Sequence, residues 1–220
     1  MAKIRDFTNG LIHCIGASFS LAGLVLLIIF ASINGDAYDI VSFTLFGTSL
    51  FLLYLFSTLY HWLNIGPKGL NVFRKFDNIM IYILIAASYT PICLGPLRGA
   101  WGWSLFGVIW GLAVLGILLS AIWTKIPKVV TNSIYFTMGW LIIIAISPLI
   151  NIYKEANLLY SLCLLVISGL LYTISGILYI LKLPKNKIFK HFGFHEILHI
   201  SILIGSIFEY IFIFKYIVIF

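Results

Sequence analysis

Charge is scarce in this sequence. Of 220 residues only 10% are charged, against 62% hydrophobic, and the mean hydropathy is +1.10. Soluble domains carry about a quarter charged residues, so a water-soluble fold of this size could not hide its apolar surface. The bilayer is the solvent, and there only helices or a closed barrel satisfy the backbone. The alternation of apolar and polar positions that marks barrel strands, over about 10 residues each, is missing. Unbroken apolar runs of about 20 residues stand in its place and predict helices. Cysteine is nearly absent too. Cys14, Cys93 and Cys163 are isolated inside apolar runs, which excludes a disulfide framework or a cysteine metal site and predicts buried free thiols. Acidic residues number 7 against 14 Lys and Arg, a net charge of +7. No basic stripe with interleaved aromatics faces water, so nucleic acid is excluded as a partner. The basic residues sit in short loops, where they set orientation and meet anionic lipid.

The apolar runs cover about 11–33, 40–63, 78–97, 101–123, 132–150, 157–181 and 192–214, each long enough to cross a hydrocarbon core of about 30 Å. Met1-Ala2-Lys3-Ile4-Arg5 resembles the n-region of a signal peptide. The run behind it is longer than an h-region and six more follow, so it reads as an uncleaved first span. Gly66-Pro67, Gly95-Pro96 and Leu183-Pro184 mark breaks between spans, and Pro91 and Pro148 should kink the spans that hold them. Lys3, Arg5, Lys68, Arg74, Lys75, Lys125, Lys128, Lys182, Lys185, Lys187 and Lys190 fall on one side of the membrane. Only Arg98, Lys154 and Lys215 fall on the other. The positive-inside rule then puts the N-terminus in the cytoplasm and, with an odd span count, the C-terminus outside. The expected fold is an all-α integral membrane protein, one seven-transmembrane helical bundle over residues 1–220, multi-pass in the cell (plasma or inner) membrane. Gly107 and Gly111 form a GxxxG, read as ordinary close packing rather than dimerisation. Trp101, Trp103, Trp123 and Tyr153 read as interfacial aromatic belts.

Ionisable residues inside spans are costly, which makes each a candidate functional group. Three sets converge on the cytoplasmic side. His61 ends the second span, with Ser57 one helical turn deeper on the same face, about 6 Å along the axis. Asp77 opens the third span. His195 and His199 open the seventh at i and i+4, the spacing of two ligands on one metal ion. Taken singly, His61 reads as an interfacial histidine, the pair as a polar seam and Asp77 as a helix-capping carboxylate. Their shared depth instead matches a catalytic zinc site, with His61, His195 and His199 as ligands and a fourth position left for water. Asp77 would orient the water or take its proton, and Ser57 would hydrogen-bond the water or a carbonyl. His195-Glu196-Ile197-Leu198-His199 also spells HExxH, where Glu196 would be the general base. That pattern is short, and Glu196 reads first as an interfacial acid. His13 reads first as a satisfied structural histidine and otherwise as a residue supporting the site's ligands, His191 reads as solvated, and Glu209 has no assigned role.

Several stretches resemble the bacterial hemolysin III family. They are Asn9 to Ser18 with His13 and Gly16, Ser57-Thr58-Leu59-Tyr60-His61, and Asp77 leading to Ala86-Ala87-Ser88-Tyr89-Thr90-Pro91. Gly139-Trp140, the 195–199 motif and Gly205-Ser206 follow in the same order. That family groups with the progestin and adipoQ (adiponectin) receptors and, more distantly, the alkaline ceramidases. The resemblance implies seven spans, a cytoplasmic N-terminus, and zinc held by His61, His195 and His199 beside Asp77 and Ser57. Where the family often has His, this chain has Asn78 and Glu209. Three functions are implied: a zinc-dependent hydrolase of a lipid amide or ester, a non-enzymatic sensor of the membrane braced by zinc, or the cytolysin of the family's name. The always-hydrophobic spans argue against a secreted pore former. The partner expected from all of this is membrane lipid, and no soluble partner is implied.

Overall fold

The computed structural model describes residues 4–123, 126–181 and 193–218. Lys3, Lys125, Lys182, Pro184, Lys185, Lys187, Lys190 and His191 lie outside them. Among the described residues, seven helical segments are long and apolar enough to cross a membrane. They are α1 (Phe7–Asn34), α2 (Ala37–Trp62), α3 (Pro67–Leu94), α4 (Ala100–Ile122), a broken fifth span, the sixth (Leu159–Leu181, mostly α7, Leu162–Leu181) and α8 (Phe194–Tyr216). The fifth span is α5 (Lys128–Trp140), a 3₁₀ stretch (Leu141–Ala145) and α6 (Ile146–Glu155). No strand occurs among the described residues.

The helices start where local chemistry dictates. Asp6 caps α1, its side chain accepting from the Asn9 N–H, so α1 begins before the apolar run does. Asp36 and Asp39 form a reciprocal capping box at α2. Pro67 takes the first turn of α3 behind Gly66, where its missing N–H costs nothing. That start lies well before the expected 78, because the first turns of α3 carry Lys68, Asn71, Arg74 and Lys75, and hydropathy does not see a polar helix. Asp77 is consequently inside α3, about 15 Å from its start, and does not cap it.

Sequential antiparallel neighbours pack from α1 to α4; α7 packs on α8, and α8 closes back on α1. On α4 the inward stripe is Gly102, Leu105, Ile109, Ala113, Gly116 and Ser120, at three- and four-residue spacing. Gly102 fits because a Cβ there would meet the Cys93 carbonyl oxygen at 2.1 Å. Gly107 and Gly111 are not on that stripe. Both are exposed with open space around them, so the expected packing role within the bundle falls to their neighbours. Phe19, Ile33, Ile122 and Val129 point outward, toward the acyl chains of a bilayer.

The break in the fifth span is the effect expected of Pro148, displaced toward the N-terminus. Its ring crowds the carbonyl four residues earlier and it offers no N–H there, and the preceding turn tightens to 3₁₀. The backbone groups this disturbs are met by one side chain of α3. The Tyr89 hydroxyl accepts from the Ile142 N–H at 2.9 Å and lies 2.8 and 2.9 Å from the Met138 and Gly139 carbonyls as donor. Pro91, near the end of α3, leaves that helix continuous.

Trp101, Trp103 and Trp123 are about half exposed, as belt residues would be. Tyr153 is instead fully buried, stacked on Phe212 with its hydroxyl donating to the Tyr216 carbonyl. It sits on the inward face of α6, which pure hydropathy cannot distinguish from the outward one. Of the cysteines Cys93 is buried and Cys163 exposed; all are free.

Candidate metal centre

Antiparallel alternation brings the start of α1, the end of α2 and the starts of α3 and α8 to one end of the bundle. Four histidines meet there. The ring nitrogens of His13, His61 and His199 offer three ligand atoms all within 4.8 Å of one another, and all three residues are buried. His13 Nε2 lies 2.9 Å from His199 Nδ1, and the His13 and His61 rings stack at 5.6 Å. His195 completes the group from the next turn of α8, its Nε2 3.1 Å from His199 Nε2 and its ring 5.3 Å from that of His61.

His61 and His199 therefore stand where the sequence placed them, and His195 stands beside them. The new member is His13. It was expected to be satisfied, yet its Nδ1 is buried with no hydrogen-bond partner. An unpartnered nitrogen among neutral imidazoles is a costly arrangement unless a cation takes its lone pair. The donor set fits a metal of zinc's type, which takes imidazole nitrogen in a four-coordinate shell.

Two residues missed from sequence hold these rings. The Asp6 carboxylate sits 3.1 Å from His61 Nδ1, so the imidazole's Nδ1–H donates to Asp6 and Nε2 turns inward, as metal-ligating histidines require. Burial opposes ionisation of Asp6, but hydrogen bonds from Asn9 and the neighbouring His61 outweigh it and hold the carboxyl below its usual 3.8. Asn9 is almost fully buried, and its Nδ2 reaches Asp6 Oδ2 at 3.0 Å, Glu196 Oε1 at 2.9 Å and His195 Nδ1 at 3.2 Å. Glu196 also accepts from the Gly193 N–H at 2.7 Å. Both of its oxygens are thus engaged in capping α8 and tying it to α1. The signal for the missed pair was present. Asp6, Asn9 and His13 recur at three- and four-residue spacing, one polar face of a span otherwise apolar.

Ser57 and Asp77 are joined directly, the Ser57 hydroxyl donating to Asp77 Oδ1. Ser57 is buried one turn of α2 from His61, and Asp77 is half-buried. An open apolar cavity of about 290 Å³, lined by Ala37, Tyr38, Val41, Leu94, Trp103 and Phe106, lies at the opposite end of α2 and holds none of these groups.

A family model described as haemolysin-III related matches residues 1–210. This chain belongs to the hemolysin III family. It is 41% identical over 202 residues to the hemolysin-3 homolog of Bacillus subtilis (strain 168), covering 92% of this chain and 89% of that protein. With hemolysin-3 of Bacillus cereus it shares 40% over 203 residues, 92% of this chain and 87% of that one. The human monocyte to macrophage differentiation factor is 29% identical over 116 residues, 49% of this chain and 47% of that one. Family membership and the seven apolar helices make the protein a multi-pass cell-membrane protein.

Proposed function

We propose that this hemolysin III family member is a zinc-dependent hydrolase of a lipid amide or ester, working at the cytoplasmic leaflet. The observation that carries the reading is the buried histidine cluster, whose His61 stands one turn along α2 from a serine paired with an aspartate. A zinc ion held by His61 and His199, with His13 or His195 as the third ligand, would supply Lewis acidity, lowering the pKa of a bound water and polarising a carbonyl. The protein's own residues do the rest. Asp6 holds the His61 ring in one tautomer. Ser57 fixes the Asp77 carboxyl, which receives a proton from the attacking water and returns it to the leaving amine or alcohol. The span interior keeps bulk water from the reacting carbonyl.

Purified protein incubated with lipid amides and esters tests this. Free fatty acid should appear, vanish with a chelator, return with zinc, and be lost in Asp77→Ala. Full metal content without turnover on any lipid would reject the hydrolase. A second reading then gains weight, in which zinc braces the bundle of a non-enzymatic membrane sensor. What favours it is the open cavity at the far end of α2, away from the histidines.

A further inference from the structure

Glu209 is an ionisable group that the metal centre does not use. It lies on α8 about 21 Å along the axis from His195, 6% exposed. It takes part in no ion pair among the described residues. The groups that face it are neutral hydroxyls. Tyr172 of α7 donates to its Oε2 at 2.9 Å, and the Ser88 hydroxyl of α3 lies near enough to interact with it. Tyr172 is 3.0 Å from Ser206 Oγ, which receives the Tyr54 hydroxyl of α2 at 2.8 Å. Tyr54, Ser206, Tyr172 and Glu209 thus form one unbroken row of oxygens. Tyr89 of α3 lies near enough to interact with Glu209 electrostatically. Tyr153 of α6 stacks on Phe212 one turn away, and α1 meets this part of α8 at Gly23, against Tyr210. A carboxylate in hydrocarbon needs a counter-charge, and none of these neighbours supplies it. Spacings of 2.8–3.0 Å between the oxygens are those of direct hydrogen bonds, leaving no opening for a cation between them.

We propose that Glu209, with the hydroxyls of Tyr172, Ser206, Tyr54 and Ser88, is a proton-binding site in the membrane interior. Its ligand is a single proton, held on the carboxyl. The row of hydroxyls joins α2, α7 and α8, so occupancy of the site and the packing of those helices are linked. Helices α2 and α8 also deliver His61, His195 and His199, which places the proton site and the histidine cluster on the same two elements.

The test is the infrared difference spectrum of the full-length protein minus Glu209→Gln in liposomes at neutral pH. The expected result is the carbonyl stretch of an un-ionised carboxylic acid, shifting on exchange into heavy water. A pair of carboxylate bands in its place overturns the proposal. Should Glu209→Gln fail to fold, Tyr172→Phe keeps the ring and removes one hydroxyl. The wild-type carbonyl band should then move to higher wavenumber, and an unmoved band overturns the cage. Thermal midpoints in sodium and choline chloride address the competing ligand. Equal midpoints support a proton, and a rise specific to sodium that Glu209→Gln abolishes overturns it.

Discussion

At the residue scale, the histidine cluster separates two ligand sets. His61 and His199 belong to both; His195 and His13 distinguish them. Alanine at His61 or His199 should remove most bound zinc, read by elemental analysis of purified protein, and lower the thermal midpoint because metal binding and folding are coupled. Full zinc in His199→Ala would end the assignment. Between His13→Ala and His195→Ala, the variant that loses zinc identifies the third ligand. Asp6 belongs to the same experiment. Asp6→Asn keeps the shape of the cap but weakens the grip on His61 Nδ1, and should cost about 10–100-fold in zinc affinity by chelator competition. The meeting of His61 with His195 and His199 was legible in the sequence because a polar group inside an apolar run stands out, while Ser57 and Asp77 are found bonded to each other. His13 was visible as a residue but not as a neighbour of His199. Asp6 and Asn9 share a helix face with His13, but at the polar entrance of a span such residues are ordinary and draw no notice singly.

At the scale of elements, the seven spans could be read from hydropathy alone, whereas the starts of α1 and α3 could not. Those starts follow from the Asp6 cap and from Pro67, signals independent of hydropathy. The 3₁₀ break ahead of Pro148 depends on Tyr89, some 50 residues earlier in sequence, and no local pattern announces that partnership. Tyr89→Phe removes the hydroxyl that accepts from the Ile142 N–H and should destabilise the bundle by about 1–3 kcal/mol, measured by thermal unfolding in detergent. An unchanged midpoint would mean the break is held some other way. The α1–α2 loop makes a pH prediction. The Arg98 guanidinium, 2.7 Å from Asp36 and stacked on Tyr38, holds the Asp36 carboxyl below its usual 3.8. The stabilisation from that pair is therefore complete above the unfolded carboxylate's pKa of about 3.9. It declines as acid takes the pH down through the lower folded value. Asp36→Asn should match wild type in strong acid and fall below it near neutrality, and a constant gap across that range would refute the pairing.

At the scale of the whole molecule, orientation rests on the distribution of Lys and Arg. Single cysteines introduced at position 4 and at position 98, on a background without Cys14, Cys93 and Cys163, should label from opposite sides of sealed vesicles. Position 4 should react from the cytoplasmic side. Reversal would move the proposed chemistry to the outer leaflet without disturbing the bundle.

The contact between His13 and His199 spans 186 residues. Helices α1 and α8 must therefore meet before a cation could find its full set of nitrogens. Loading with metal would then be a late event in biogenesis, and a chain truncated before α8 should enter the bilayer with no tight hold on zinc.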